Sequence, residues 1–353
     1  PPPPPPPAFQ AEDGIRDLAS SLVGSEMCIR DSLSLCVAVI VGAVGLPAAA
    51  GKMYWSAGGC ADIYCRARIQ RSNLDGTAVS NVTQYRMAIH GGIALDTIHG
   101  HVYWSEWSFV TGIMRGDENG CEVVAAAGQP GKVEIDLAAG KLYWVDNRRI
   151  DRANLDGSSL ETVFQLGADG YLTSFALGAV EGKLYVTDEP SPGAPDRLSR
   201  MNLDGSGAEV IATGYTFGDV AVDPVVGKVY WIADSPPVIR RANFDGSNVE
   251  DVMSVGSYAT ALAIDSDGGK IYWYGFPTIR RANLDGTDQE ELTAVGGDYV
   301  RQLALDPADA TGVAYIPCGD PAIPAAGWKG VLALCLLLIA ASGLLHLRRP
   351  ERT

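Results

Sequence analysis

The chain is poor in the residues that run hydrolytic and metal chemistry. It holds four histidines in 353 residues, His90, His99, His101 and His346. No His-Glu-x-x-His, Gly-x-Ser-x-Gly or Cys-x-x-Cys motif occurs, so the common zinc-peptidase, nucleophile-elbow and dithiol chemistries have no residues to use. His99 and His101 flank Gly100 in an expected turn and read as solvent-facing rather than metal-binding. Asp265-Ser266-Asp267-Gly268-Gly269 has the start of a calcium loop without its later ligands or terminal Glu, and reads as a Gly-rich turn. Positive charge is also scarce: 27 Lys and Arg stand against 42 Asp and Glu, a net charge of −15. Residues 51–320 keep that balance, with 21 against 36. Such a domain repels phosphate backbones, which excludes nucleic acid as a partner.

What the chain does have is a repeat. Tyr-Trp recurs within Met53-Tyr54-Trp55, Val102-Tyr103-Trp104, Leu142-Tyr143-Trp144, Val229-Tyr230-Trp231 and Ile271-Tyr272-Trp273, with Leu184-Tyr185-Val186 and Val313-Ala314-Tyr315 as weaker copies. The tyrosines are 49, 40, 42, 45, 42 and 43 residues apart. A period near forty with several short strands per unit is the pattern of propeller blades. In one unit, Val133–Leu137 alternates as a first strand. Lys141–Val145 has the aromatic and β-branched composition of a second, while Arg149–Ala153 and Leu160–Phe164 supply the third and fourth. Asn154-Leu155-Asp156-Gly157 joins the last two, and Asp-Gly favours a tight hairpin because glycine accepts positive φ. The first unit begins at its second strand, Lys52-Met53-Tyr54-Trp55, and the last segment, Arg301–Asp306, is a first strand with no hairpin after it. Each end supplies what the other lacks. The expected fold is all-β: a six-bladed propeller of four-stranded antiparallel blades, its closing blade shared by N- and C-terminal strands.

These units resemble low-density-lipoprotein-receptor class B repeats, the YWTD family, over about residues 51–318. The resemblance implies a six-bladed propeller that holds protein or peptide partners on one face. The motif's Asp is read at Asp146, Asp188 and Asp234, while Gly275 and Val186 depart from the pattern and put inter-blade contacts there in doubt. Arg71, Arg115, Arg152, Arg200, Arg241 and Arg281 recur before the turns, and Asp96, Asp136, Asp223, Asp265 and Asp306 end first strands. Repeated in nearly every unit, these charges are expected to join neighbouring sheets rather than to bind a ligand.

The ends read differently. Residues 1–32 lack periodicity and resemble translated sequencing-adapter peptide, the alternative being a natural Pro-rich tail. Residues 33–50 read as a truncated signal peptide, residues 319–327 as a linker, and residues 328–347 as a transmembrane helix followed by a basic cytoplasmic tail, 348–353. The tail resembles bacterial C-terminal sorting signals cut by exosortase-type enzymes; a plain membrane anchor is the alternative. Either arrangement places the repeats outside the cytoplasmic membrane, at the cell surface or secreted after processing. Of seven cysteines, Cys60, Cys65, Cys121 and Cys318 fall in the exported part, enough for two disulfides in an oxidising compartment. Cys60–Cys65 is the expected pair, although three connectivities are open.

Candidate ligand-binding residues sit in loops expected on one propeller face: Tyr85, Tyr171, Tyr215, Tyr258 and Tyr299 before inner strands, and Trp107, Phe109, Asn147, Arg148 and Phe276 between second and third strands. Aromatic rings give large contact area at low entropic cost; alternatively, the tyrosines pack down and plug the channel. The sequence therefore reads as a non-enzymatic surface module for a protein, peptide or glycan, with no cofactor or metal. The competing readings are a lactonase- or lyase-type propeller with a central metal, and a structural surface or matrix protein.

Overall fold

The computed structural model describes residues 51–59, 66–84, 86–87, 89–107, 111–214, 217–256, 258–296 and 298–318. The expected signal, linker, membrane span and basic tail lie outside these residues, as do Tyr85, Phe109, Tyr215 and the expected Cys60–Cys65 pair. Among the described residues no helix is long and apolar enough to cross a membrane.

Six antiparallel sheets follow one another along the chain. Blade 2 comprises Ile89–Asp96, His101–Glu106, Gly112–Asp117 and Gly120–Ala126, and blade 3 comprises Pro130–Asp136, Lys141–Asp146, Arg149–Asn154 and Glu161–Gln165. Blade 4 runs Tyr171–Gly178, Lys183–Glu189, Asp196–Asn202 and Glu209–Gly214; blade 5 runs Phe217–Asp223, Lys228–Asp234, Pro237–Asn243 and Glu250–Ser254. Blade 6 holds Ala259–Asp265, Lys270–Gly275, Thr278–Asn283 and Glu290–Ala294. Blade 1 is the split one. Tyr299–Asp306 from the C-terminal end pairs with Lys52–Gly59, which pairs with Arg66–Asn73 and then with the short strands Ser80–Asn81 and Arg86–Met87. The expected strands of blade 3 agree with the observed ones to within three residues.

The Tyr-Trp pair explains why blades stack. Successive side chains in a strand point to opposite faces, so Trp144 packs against Tyr103 of blade 2 while Tyr143 packs toward blade 4. Six buried clusters result, one per seam, each with a tyrosine from one blade. In five of them the next blade contributes its tryptophan. Each of the five indoles is at most 1% exposed, and burying a side chain of that size contributes roughly 2–3 kcal/mol. Blade 4 has Val186 instead. There the opposing inner-strand residue is Phe175, where the other blades place Val, Ile or Leu beside the tryptophan. The large ring has moved across the strand pair and the seam stays filled.

The recurrent charges divide into two roles. The arginines do join sheets: Arg152 donates to the Leu203 carbonyl of blade 4 at 3.0 Å, Arg200 to Phe244 of blade 5, Arg241 to Leu284 of blade 6, and Arg281 to Leu74 of blade 1. Each also pairs with a glutamate on its own outer strand, such as Glu161. The aspartates do not join sheets. Asp96, Asp136, Asp223, Asp265 and Asp306 accept backbone N–H groups of the turn that follows them, within their own blade. A short carboxylate at a strand end satisfies its own turn before it can reach a neighbour. Asp234 is corrected too: Ala233 occupies the motif position in the strand register, three residues after Tyr230, and Asp234 is exposed one step beyond.

The Asp-Gly connection is longer than a tight hairpin. Asn154 to Glu161 forms a closed loop in which Asp156 accepts from the Ser158 amide at 2.9 Å and its hydroxyl at 2.6 Å. Gly157 has φ of 81°, and a β-carbon on it would overlap the Val124 carbonyl of blade 2. The turn is thus a knob pressed against the preceding blade.

Blade 2 breaks the rule. Its turn is two residues shorter: Arg115 and Glu122 are 7 apart, whereas Arg152 and Glu161 are 9 apart. Residues 311–318 fill the missing place. The Val313 carbonyl accepts from Tyr54 Oη and Arg71 at 3.2 and 2.8 Å, as the Leu155 carbonyl accepts from Tyr103 and Arg115 at 3.1 and 3.4 Å. Ile316 is fully buried in this seam, and Cys318 forms a disulfide with Cys121 of blade 2.

Two outcomes follow from the turns. Gly157→Ala should cost about 2–4 kcal/mol, combining positive φ with a backbone clash, whereas Gly140→Ala, at φ 64° with open space around it, should cost about 1 kcal/mol; urea denaturation of both variants checks the difference. The Ser158 hydroxyl, then its amide, hold the Asp156 carboxyl below its ordinary range. A depressed folded-state value stabilises above the unfolded pKa and is lost as pH falls through the folded one. The melting-temperature gap between the wild type and Asp156→Asn should therefore be full at pH 5–7 and narrow below about pH 4.

Candidate functional site

The inner strands run along a central channel, and one position on them controls it. Around the ring from blade 1 to blade 6 that position carries Gln302, Gly92, Lys132, Ser174, Asp219 and Ala261, each preceding the inner-strand residue that faces the second-strand Trp or Val186. Large and small side chains alternate, so three long ones from alternate blades fit one axis.

Together those three touch every blade. Gln302 of blade 1 accepts from the Ile93 amide of blade 2 at 3.0 Å and donates to the Val133 carbonyl of blade 3 at 2.9 Å. Lys132 of blade 3 donates to Asp219 Oδ1 and the Val220 carbonyl of blade 5 at 2.7 and 2.8 Å. Asp219 also accepts from Ser174 Oγ of blade 4 at 2.6 Å and the Leu262 amide of blade 6 at 2.8 Å. Lys132 and Asp219 side chains are 8% and 4% exposed, and Glu134 lies 3.4 Å from the ammonium. Burial opposes the charge on Lys132, but attraction to Asp219 and Glu134 outweighs it and raises its pKa. Burial also raises the Glu134 carboxyl, against the pull of Lys132.

Above this plug an open basin of about 550 Å³ is lined by Trp107, Asn147, Tyr171 and Tyr299, all expected from the sequence. Tyr171 begins an inner strand and is 62% exposed; Tyr299 and Trp107 are about half exposed. Phe276 stacks on Tyr299 with centroids 5.8 Å apart and an interplanar angle of 28°. Tyr258, with φ of 70°, stands exposed just before Ala259 and Thr260 of the wall. Tyr171, Tyr258 and Tyr299 therefore face outward, and the channel is closed by Gln302, Lys132 and Asp219 instead. Arg148 does not join them. It donates to the Ala168 carbonyl and borders an adjoining cleft that shares Gln129 and Asn147 with the basin. Asn147 reaches the basin through a left-handed turn, φ 60°, closed by its amide on the Gln129 carbonyl.

The axial residues were missed by sequence reading because each occurs once. Aligning the six units and looking for the column that refuses to repeat would have found them.

No family model matches the chain. Among curated proteins it is similar to low-density lipoprotein receptor-related protein 1 of Pyricularia oryzae, at 27% identity over 177 residues, 41% of this chain and 56% of that protein. It is also similar to the vitellogenin receptor of Solenopsis invicta, at 23% identity over 49% of this chain and 10% of that protein. Low-density lipoprotein receptor-related protein 5 of Mus musculus is 31% identical over 41% of this chain and 9% of that protein. The chain thus spans about half the length of the first of these relatives and a tenth or less of the others. Among solved structures the fold is shared with a chain of a nidogen/laminin complex, with a TM-score of 0.62 and 16% identity over 73% of this chain and 98% of that one. It is shared also with TolB from Acinetobacter baumannii, with a TM-score of 0.59 and 13% identity over 78% and 71%. The receptor-related homologues and the six-bladed propeller fit the YWTD repeat family.

Removing one partner of a buried ion pair leaves an uncompensated charge, at a cost of about 3–5 kcal/mol. Lys132→Met should lose stability on that scale, and Lys132→Met with Asp219→Asn should recover more than half of it. Denaturant midpoints of the two variants measure the recovery.

Proposed function

We propose that this chain is a non-enzymatic binding module that takes a protein or peptide partner into the aromatic basin on the upper face. The observation that carries the reading is the convergence of Trp107, Tyr171, Tyr299 and the stacked Phe276 around one open basin with a closed floor. Rings held on a rigid scaffold and left half exposed in water supply contact area at little entropic cost. The similarity to receptor-related proteins supports the same reading. It also supports an exported setting, as does a disulfide within the ring. A glycan partner would use the same rings by stacking.

The competing reading, a lactonase- or lyase-type enzyme with an axial metal, asks for several free donors at the channel mouth. The axial carboxylate Asp219 is already bound by a lysine ammonium, a fixed positive charge against which any cation would have to compete. Metal analysis of the purified protein addresses this directly. Stoichiometric, tightly held metal would favour the enzyme.

Trp107→Ala, Tyr171→Ala and Tyr299→Ala combined should reduce capture of the native partner at least tenfold, since central aromatic anchors contribute about 2 kcal/mol or more each. Val180→Ala, in an exposed turn at the opposite ends of the strands, should change nothing. Retention of binding by the triple variant, with its melting temperature intact, would reject the upper face.

A further inference from the structure

The seam between blades 1 and 2 is filled by a piece of chain that arrives from elsewhere. The other five seams are closed by a turn that belongs to the adjoining blade and cannot leave without unfolding it. Here the equivalent carbonyl comes from Val313, beyond the end of the closing strand. Ile316 supplies the apolar filling, and a β-carbon on Gly116 would collide with both it and Trp104. Farther along, the Ile316 amide donates to the Val82 carbonyl, and the exposed Tyr315 hydroxyl accepts from Gln84. The segment forms no regular strand. Its covalent hold is the bond from Cys318 to Cys121, two positions 197 residues apart in the chain.

Cys318 is buried, so the bond is approached from the Cys121 side. Cys121 borders an open cleft of about 400 Å³ with His101, Arg115, Asp117 and Glu122. The closing strand, by contrast, is secured separately. Tyr299–Asp306 is paired with Lys52–Gly59 from Lys52↔Asp306 to Gly58↔Tyr299, with a single bulge, and none of those ladder bonds involves the disulfide.

We propose that Cys121–Cys318 is a redox-operated latch on this one seam. A small dithiol reduces it: two electrons and two protons pass to the cysteine sulfurs, giving two thiols, while the dithiol closes to its own disulfide. Residues 311–318 are then released and the flank of Trp104 opens, while blade 1 remains zipped and the other five seams remain shut. The absence of the Asn-Leu-Asp-Gly turn in blade 2 is what makes the seam openable.

Hydrogen exchange read by mass spectrometry on the full chain, with and without dithiothreitol, tests this. Peptides spanning 311–318 and 102–116 should exchange at least tenfold faster after reduction, and peptides within 172–254 should not change. Reoxidation with glutathione disulfide should restore the original rates. Cys121→Ser should reproduce the reduced pattern; since reduction acts on the already folded wild type, the test stands even if that variant fails to fold. Unchanged exchange at 311–318, failure of dithiothreitol to reduce the folded protein, or an equal rise in all blades would each overturn the proposal.

Discussion

Everything in this ring depends on one constraint: a four-stranded sheet apolar on both faces has no stable existence in water except between two others. Adjacent Tyr and Trp in the second strand serve both neighbours at once, because the pleat sends one to each side. The tyrosine then does a second job. In blade 2, Tyr103 and Arg115 together direct donors at the Leu155 carbonyl of the next blade, whereas Tyr143, Tyr230 and Tyr272 accept from their own blade's arginine. Apolar burial thus sets which faces meet, and the hydrogen bonds set how far around the ring each blade turns. The exposed Arg–Glu pairs add little by themselves; their effect is to hold each guanidinium in line with its carbonyl.

A closed ring must also solve its last seam. Strand sharing does so for blade 1 by pairing the two ends of the described chain. It leaves a second deficit at blade 2, where the turn is too short to dock. The C-terminal segment answers both deficits in one pass, first as the inner strand of blade 1 and then as the substitute turn of blade 2. In the chain-entropy account, a bond across a loop of 197 residues is worth about 5 kcal/mol against the unfolded state.

The architecture was legible because it repeats. Blade number, strand order and the shared blade could be read from Tyr-Trp spacing and from which unit lacked which strand. Features that depend on a single residue were not legible. The compensation of Val186 by Phe175 needs the register between two strands, and register is not written in either strand alone. Cys121–Cys318 joins cysteines 197 residues apart, a pairing that sequence spacing leaves open and that is the complement of the expected Cys60–Cys65 pair. Recurrence alone points the first-strand aspartates at neighbouring sheets, yet a turn amide three residues away takes the carboxylate first. Of the candidate face, Trp107, Asn147, Tyr171 and Tyr299 could be grouped from loop position alone, since loops of one kind open on one side. Arg148 could not, because its partner, the Ala168 carbonyl, lies in another loop.

The axial plug bears on how recognition could work. A propeller with an open channel can take a ligand through its centre, and both faces then share one site. Here Gln302, Lys132 and Asp219 close the channel with hydrogen bonds to all six blades, so the upper basin has a polar, fixed floor. A ligand in the basin meets aromatic walls that the repeat does not dictate and a floor that cannot yield without breaking a buried ion pair. On the proposed reading, discrimination between partners falls to the rim, where Tyr171, Tyr299 and Phe276 stand about half exposed or more. The same separation explains why the repeat specifies so much of the fold and so little of the face: seam residues are fixed by the blades they meet, and the exposed rim residues lie outside the repeated column.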